Sequence, residues 1–497
     1  MNNYFVGVDL GTGSTKAIAI ATDGAVLCTA QFYYPISSPQ PGFSEQNPCL
    51  IWDAFVSCIN AITGKLGVAP SAISFSAAMH SIFPVNKNGE PMANAILWAD
   101  ARSGDIAQNI RNSTQGENIY RHTGTAIYAM APLSKLIWIR ENQPELFNSA
   151  HKFISIKEYI WHRLFGVFEV DYSIASATGL FDILELKWYA DSLALAGINS
   201  DKLSTPVNTD HREFLPVGDT PLDGIAGHTA FIIGASDGCC ANLGGGAVGG
   251  GIAALTIGTS GAIRVGNGSP VYNYSAMTFN YLLNRNTFIC GGAVNNGGAA
   301  VDWLLKCFLK ITSITDQTYA KLFADIATVK PGSDGLMFLP YLYAERAPIW
   351  DAKSSGAFLN INFKHQQQHF LRAALEGICF ALCDVMKAVE TPAQPIKEIV
   401  ISGGFISSPV WVQMLADITG KKLVIQQADD ASAVGAIYLA MEALGLDFSK
   451  ISEHAEDRVE IEPNMPNHEI YSRIFSVYQT LYRSLKQSMH LMHDLKS

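Results

Sequence analysis

The sequence predicts an α/β protein of two duplicated halves that face one another across a cleft. Three observations predict it. Short apolar, β-branched runs alternate along the chain with segments of helical period. The stretch VGVDLGTGSTKAIAI, around Asp9, is echoed by AALTIGTSGAIRVG, around Thr256. Gly11-Thr12-Gly13 thereby aligns with Gly258-Thr259-Ser260 at an offset of 247 in a chain of 497 residues. A chain of that length exceeds one compact core, and duplication of an α/β unit accounts for it.

The elements follow in order. Phe5–Val8 and Lys16–Ile20 read as strands, and Gly11, Thr12, Gly13, Ser14 and Thr15 between them suit a tight turn. Such a turn aims backbone N–H and hydroxyl groups at one point, as a phosphate requires; an ordinary Gly-rich hairpin has the same composition. Residues 51–67 have helical period and 72–79 read as a strand. In FIIGASDGCCANLGGG (231–246), a strand Phe231–Ile233 enters a turn, then Asp237, then small residues that open a helix. Residues 367–389 form a long amphipathic helix without proline. Residues 396–408 are a strand feeding a Gly turn, and 409–420 a helix with Pro at its start and Gly after its end. A strand, a Gly pair and a helix start offer a place for nucleotide atoms. The Gly-rich NLGGGAVGGG (242–251) is the expected hinge, dividing the chain into 1–245 and 246–497. Beyond about residue 445 one closing amphipathic helix is expected, with no role attached to it.

Composition excludes several classes. With 48% hydrophobic and 16% charged residues the chain is a packed globular protein, not a disordered one. A net charge of −10 argues against broad binding to nucleic acid or anionic membrane. Nine cysteines, with no CxxC pair and no His partner beside Cys379 and Cys383, read as reduced thiols of a cytoplasmic protein. No basic region precedes the first strand, and no 18-residue apolar run is expected.

Two acids stand where chemistry is needed. Asp237, ending a strand beside the hinge, is placed to take a proton from a substrate hydroxyl, as phosphoryl transfer requires; it is equally suited to capping a helix. Asp9 is the lone charge in its strand and suits water-bridged Mg²⁺, or a turn closed on its own backbone. Lys16 faces either the phosphates or the outer side of its strand.

MAPLSKLIWIREN (130–142) carries the first signature of the FGGY carbohydrate kinases, from Met130 through Pro132, Lys135 and Trp138 to Glu141, and the chain resembles that family. HFLRAALEG (369–377) fits the second signature, whereas GAFLNI (356–361) has Asn360 where glycine is expected. DLGTGSTK, GASDG, TIGTSG and SGGFISSPVWVQMLADITG fall in family order, so the resemblance runs from about residue 4 to about residue 445. It implies two ribonuclease H-like domains, of the actin, hexokinase and heat-shock chaperone superfamily, around a deep ATP cleft. It further implies that Asp9 organises Mg²⁺, that Thr12, Gly13, Ser14 and Lys16 line the ATP phosphates, and that Thr259 approaches from the second half. Gly298 and Asp302 would contact nucleotide, Gly404 and Ser408 would flank the adenosine, and Asp237 would be the general base. Gly13 replaces a second Thr of the family, and Phe405 its third glycine.

By the same resemblance, Met79, His80, Trp98, Asp100, Arg102 and Gly238 meet the sugar. An indole gives C–H faces an apolar wall, and His and Asp read hydroxyls directionally. Outside the family, His80 reads as a satisfied core histidine and Trp98 as a core aromatic. Gly238 stands where relatives often carry a polar side chain. The stretches MHS, WADARS, TGTAIYAMAPLSKLIW, FISIKEYIWHRLFG and DYSIASATGLFDI are similar to those of gluconate kinases, with xylulose kinases next. A sugar acid requires a cation for its carboxylate, and Arg102, Lys157, Arg121 and His122 are the candidates. The expected partner is thus a small sugar or sugar acid, with no nucleic acid, no membrane, and a homodimer left open. A chaperone-like ATPase is disfavoured by the Asp237 motif and the MHS and WADAR stretches, and an inactive sugar sensor by the intact GTG turn. A dinucleotide-dependent dehydrogenase is disfavoured because no G-x-G-x-x-G opens a helix after the first strand.

Overall fold

The computed structural model describes residues 3–215, 221–225, 227–311, 316–425, 430–447 and 458–495. The amino-terminal sheet contains β1 (Tyr4–Leu10), β2 (Ser14–Ala21), β3 (Val26–Tyr33), β4 (Ala72–Ala77), β5 (Arg212–Phe214) and β6 (Ala230–Ser236), in the order β5-β6-β4-β1-β2-β3. The carboxy-terminal sheet contains β7 (Ile252–Ile257), β8 (Gly261–Asn267), β9 (Phe279–Asn284), β10 (Thr287–Val294), β11 (Glu398–Ser402), β12 (Lys422–Ile425) and β13 (Val459–Ile461), in the order β9-β10-β8-β7-β11-β12-β13. Within them, β3-β2-β1-β4-β6 and β10-β8-β7-β11-β12 match strand for strand. Each has three antiparallel strands with two parallel strands added beside the first, although in the second half β9 comes between β8 and β10 in the chain. This is the ribonuclease H-like unit, present twice.

The duplication extends to side chains. In the first half Ser76 Oγ donates to Asp9 Oδ1 at 2.8 Å across β1 and β4; in the second, Thr256 and Ser402 hydroxyls meet at 2.9 Å across β7 and β11. The turns differ by one residue, since Leu10 pairs with Thr15 but Ile257 with Gly261.

Helix α1 (Pro48–Leu66) starts with Asn47 capping the Cys49 amide and ends at Gly67 in the left-handed region. By length and composition alone it is long and apolar enough to cross a membrane, which corrects the expectation that no such run exists. Ile51, Trp52, Phe55, Cys58, Ile59 and Ile62 are buried where it packs on β2 and β3. Helix α2 (Pro132–Asn142) carries the first signature, and α3 (Asp237–Gly244) follows β6. Helices α4 (Gly298–Trp303), α5 (Gln367–Val389), α6 (Pro409–Thr419) and α7 (Ala431–Ala443) belong by sequence to the second half. The closing helix α8 (Met465–Asp494) docks on α5, where Tyr471 Oη bridges Arg372 and Glu376 at 2.8 Å each. Asn360 adopts φ 60°, the conformation for which glycine is usual, and its amide donates to Gly335 O at 3.0 Å. The turn is therefore kept despite the substitution.

The two halves share helices at their seam. α7 packs on β1 and β4 of the first sheet, while α3 packs on β6 and β4 of its own sheet and also touches β8 and β9 of the second. The two helices cross so closely that a Cβ on Gly435 would lie 2.0 Å from Cys240 O, and one on Gly244 2.1 Å from Ala431 O. All nine cysteines are free, and seven are buried.

Candidate active site

Parallel strands β1, β4 and β6 end together, and their carboxyl ends deliver Asp9, the Met79–His80 loop and Asp237 to one cleft, as open α/β sheets do. Asp237 is the first residue of α3, with Ser236 in the capping position; its own Oδ1 accepts the Gly238 amide at 2.7 Å. The strand end beneath it is braced. Lys157 Nζ donates to Ala235 O at 3.0 Å and lies 2.8 Å from Asp171 Oδ2, an ion pair outside hydrogen-bond alignment. Ser173 Oγ meets Ser236 Oγ at 2.8 Å. Burial pushes the Asp237 carboxyl above the ordinary aspartate range, opposed first by Arg264 and then by the Gly238 amide.

Asp9 is pushed up to about 7, by burial first and then by the charge of Asp237, with Asp430 adding to it and Ser76 opposing. The charges of Asp237 and Asp430 thus both act on Asp9, and Lys16, ion-paired to Asp430, opposes them. Among the described residues the oxygens of Asp9, Asp237 and Asp430 do not all lie within 4.8 Å of one another, so they are not one ligand set. Mg²⁺ is usually held by one or two carboxylates with waters and phosphates, and Asp9 alone fits that role. Lys16 faces Asp430 from the other half rather than an open strand face.

The sugar-side residues divide in two. His80 sits at φ 68° with Nδ1 2.7 Å from Ala177 O. A carbonyl only accepts, so Nδ1 carries the proton and Nε2 accepts from Tyr281 Oη at 3.3 Å. Burial, then the charge of Lys135, lowers His80 to about 3, leaving a neutral ring. Lys135, from the first signature, donates to His80 O and Leu97 O at 2.7 Å each and so ties the loops after β4 and around Trp98 together. Trp98 is exposed, and its Nε1 donates to Thr12 Oγ1 at 3.0 Å, joining the 97–102 loop to the β1–β2 turn. Asp100 and Arg102 are instead engaged with each other: Arg102 Nε reaches Asp100 Oδ1 at 2.9 Å and Nη2 reaches Glu45 at 2.6 Å. The guanidinium lies 3.7 Å over the Phe43 ring, and Asp100 also accepts the Ser44 amide. Met79 and Gly238 are neighbours, since a Cβ on Gly238 would lie 3.3 Å from Met79 Cε.

Across the cleft, a cavity of about 400 Å³ is lined by Gly258, Thr259, Gly298, Asp302, Gly404 and Phe405, bringing together four of the expected nucleotide residues. Gly298 N donates to Gly258 O at 2.7 Å, so α4 begins against the β7–β8 turn. Asp302 is exposed and paired with Lys306 at 3.0 Å. Phe405 is buried edge-on to Trp411, with ring centres 5.6 Å apart, and fills space that the family's glycine would leave open. Ser408 caps α6 through the Trp411 amide and is not in the cavity wall. Gly13 has open space where a Cβ would project, and Ser14 Oγ accepts from Gln31.

Sequence reasoning missed Asp430, Tyr281, Arg264 and Arg346. Asp430 precedes α7 as Asp237 opens α3, so extending the internal repeat past the Gly turns would have found it. Arg264 lies inside the second repeat, AALTIGTSGAIRVG. Tyr281 and Arg346 carry no local signal, because the groups they act on, His80 and Tyr128, lie in the other half of the chain.

Residues 4–244 match the FGGY family of carbohydrate kinases, N-terminal domain, and residues 253–444 the corresponding C-terminal domain. The chain is 37% identical to the gluconokinase of Bacillus licheniformis, over 98% of this chain and 97% of that protein. Two solved structures from Lactobacillus acidophilus superpose closely. A ligand-bound xylulose kinase has a TM-score of 0.93 at 32% identity, covering 99% of this chain and 100% of that one. A gluconate kinase has a TM-score of 0.92 at 33% identity, covering 98% of each. Two family domains in order, over a cleft with an acid at its floor, identify the chain as a member of the FGGY family of carbohydrate kinases.

Proposed function

We propose that the protein transfers the γ-phosphoryl group of Mg-ATP to the terminal hydroxyl of D-gluconate, forming 6-phosphogluconate. The observation that carries the chemistry is Asp237, a half-buried carboxylate at a braced strand end opposite the Thr259 cavity. It accepts the hydroxyl proton as the oxygen attacks phosphorus; Arg264 opposes the rise in its proton affinity and so keeps it available as a base. Thr12, Gly13 and Ser14 from one half and Thr259 from the other hold the phosphates, with Gly298, Asp302 and Gly404 at the nucleoside end and Ser408 supporting α6. Asp9 would hold Mg²⁺, which when bound offsets charge on the β- and γ-phosphates. His80 and Trp98 face the sugar with Met79, while Asp100 and Arg102 keep the Trp98 loop in place.

The lobes, taken as 1–245 and 246–497, close about residues 242–251, where Gly246, Gly250 and Gly251 adopt positive φ. The nine free cysteines support a reducing, cytoplasmic setting. The choice of gluconate rests on the gluconokinase relative at 37% identity. D-xylulose is the second reading, favoured by the xylulose kinase superposition. ADP release with Mg-ATP and D-gluconate, D-xylulose, D-ribulose, L-fuculose or glycerol, beside Asp237→Ala, tests both. Turnover with gluconate that falls at least about 100-fold in the variant is expected. Turnover with xylulose alone replaces the substrate, and sugar-independent hydrolysis unchanged in the variant refutes the kinase mechanism.

A further inference from the structure

The four cations first considered for a sugar-acid carboxylate are already engaged. Arg102 is held by Asp100 and Glu45, Lys157 by Asp171 and Ala235 O, Arg121 by Glu117, and His122 by Asp182. Two other guanidinium groups reach the cleft from the second half. Arg264 projects from β8, and a Cβ on Gly238 would lie 3.2 Å from its Nε, so it occupies ground beside the base where relatives often carry a polar side chain. Arg346 follows Glu345 in the loop after Tyr343. Its Nη2 reaches Val294 O at 3.3 Å, and its Nε is buried with no hydrogen-bond partner.

Among the described residues, neither guanidinium has a carboxylate within 4.0 Å. Glu345, the acid beside Arg346, is taken up by the Asn295 and Arg346 amides and by Asn296 Nδ2. Asp237 faces Arg264, but one carboxylate that is also the base does not compensate two guanidinium charges. The two arginines disfavour one another's charge, and the Tyr281 hydroxyl lies in the field of both. Tyr281 bonds His80, and Arg346 also acts on His80 and Tyr128, so it belongs to the sugar side. Neither arginine lines the nucleotide cavity. A half-buried pair of permanent cations with no carboxylate in ion-pair contact is costly unless the ligand brings one.

Resting on the gluconate reading, we propose that Arg346 and Arg264 clamp a sugar acid from the second half, Arg346 binding its carboxylate and Arg264 standing beside the base. The same chemistry would also hold a transferring phosphate, and the test separates the two sources. Wild type, Arg346→Met, Arg346→Lys and Arg264→Leu are assayed with D-gluconate and D-xylulose. Binding of D-gluconate and of D-glucitol, which has the same carbon chain without a carboxylate, is measured without ATP. The ratio of kcat/KM for gluconate over xylulose should fall about 100-fold in Arg346→Met, mainly through KM, and recover in part in Arg346→Lys. The preference for gluconate over glucitol in binding should vanish with it. Arg346→Gln, which keeps an N–H for Val294 O, carries the same test if the methionine variant does not fold. An unchanged ratio and binding preference overturns the clamp alone. Equal loss of kcat with both sugars at constant KM in Arg346→Met assigns that arginine to the phosphate and also overturns it, whereas such a loss in Arg264→Leu reports only its action on the Asp237 base. Wild type that phosphorylates xylulose but binds no gluconate overturns the substrate reading itself, and the clamp with it.

Discussion

Replacing Lys135 by methionine removes the tie between the loops after β4 and around Trp98 while keeping an unbranched chain of similar reach. Lys135 is fully buried, and its Nζ donates to His80 O and Leu97 O at 2.7 Å, with Ile96 O at 3.4 Å. The variant leaves two well-made carbonyl bonds unmade, at about 1–3 kcal/mol each. Removing an amine that is expensive to bury offsets part of this, so a net loss of about 3 kcal/mol is expected. Burial lowers Lys135 from 10.5 to about 7, with Asp100 opposing. Between those values the unfolded chain binds a proton that the folded chain does not, so stability from this group rises with pH. Its contribution is complete above the unfolded value and is lost as pH falls through about 7. The gap between wild type and variant in urea unfolding should therefore widen by about 1 kcal/mol from pH 7.5 to 8.5. His80, held at φ 68° through its own carbonyl, then relaxes away from Tyr281. The KM for the sugar should rise about tenfold while that for ATP stays constant, since each 1.4 kcal/mol is a factor of ten. A variant as stable as wild type at pH 8.5, with unchanged sugar KM, would refute the reasoning.

Three further outcomes follow from the same geometry. Asp9→Asn removes the carboxylate proposed to hold Mg²⁺; half-maximal activity should require at least about tenfold more Mg²⁺, read from a metal titration at saturating ATP. Trp98→Phe deletes the Nε1–H···Thr12 bond of 3.0 Å, an effect of about 1 kcal/mol, and should raise KM for ATP and sugar together while the melting temperature barely moves. Gly435→Ala drives a methyl group to 2.0 Å from Cys240 O, so α3 and α7 must part; a loss of about 2 kcal/mol or more in thermal unfolding is expected.

Much of the fold was legible because the repeat is local. Both glycine turns, the Asp237 strand end and the helix at 367–389 rest on contiguous residues whose period or turn chemistry speaks for itself. That Thr259, Gly298 and Gly404 would come together was legible for the same reason, since each sits in a short turn that ends in one cavity. The sugar side was harder. Arg102 and Asp100 look the same in sequence whether they face a ligand or each other, and only burial against Phe43 and Trp138 decides between them. Tyr281 lies 201 residues from the histidine it bonds, a pairing that no window of sequence contains.

The crossing of α3 and α7 through Gly244 and Gly435 makes the duplication sequential in the chain yet interleaved in space. A fragment ending at the hinge would leave β1 and β4 without the helix that covers them and would present glycine-lined faces to water. The gene therefore encodes two similar units that are not interchangeable parts: shuffling one half into another protein would require carrying its counterpart's helix along. Domain borrowing of the kind open to beads-on-a-string proteins is closed to this one, and change is channelled into the loops at the strand ends.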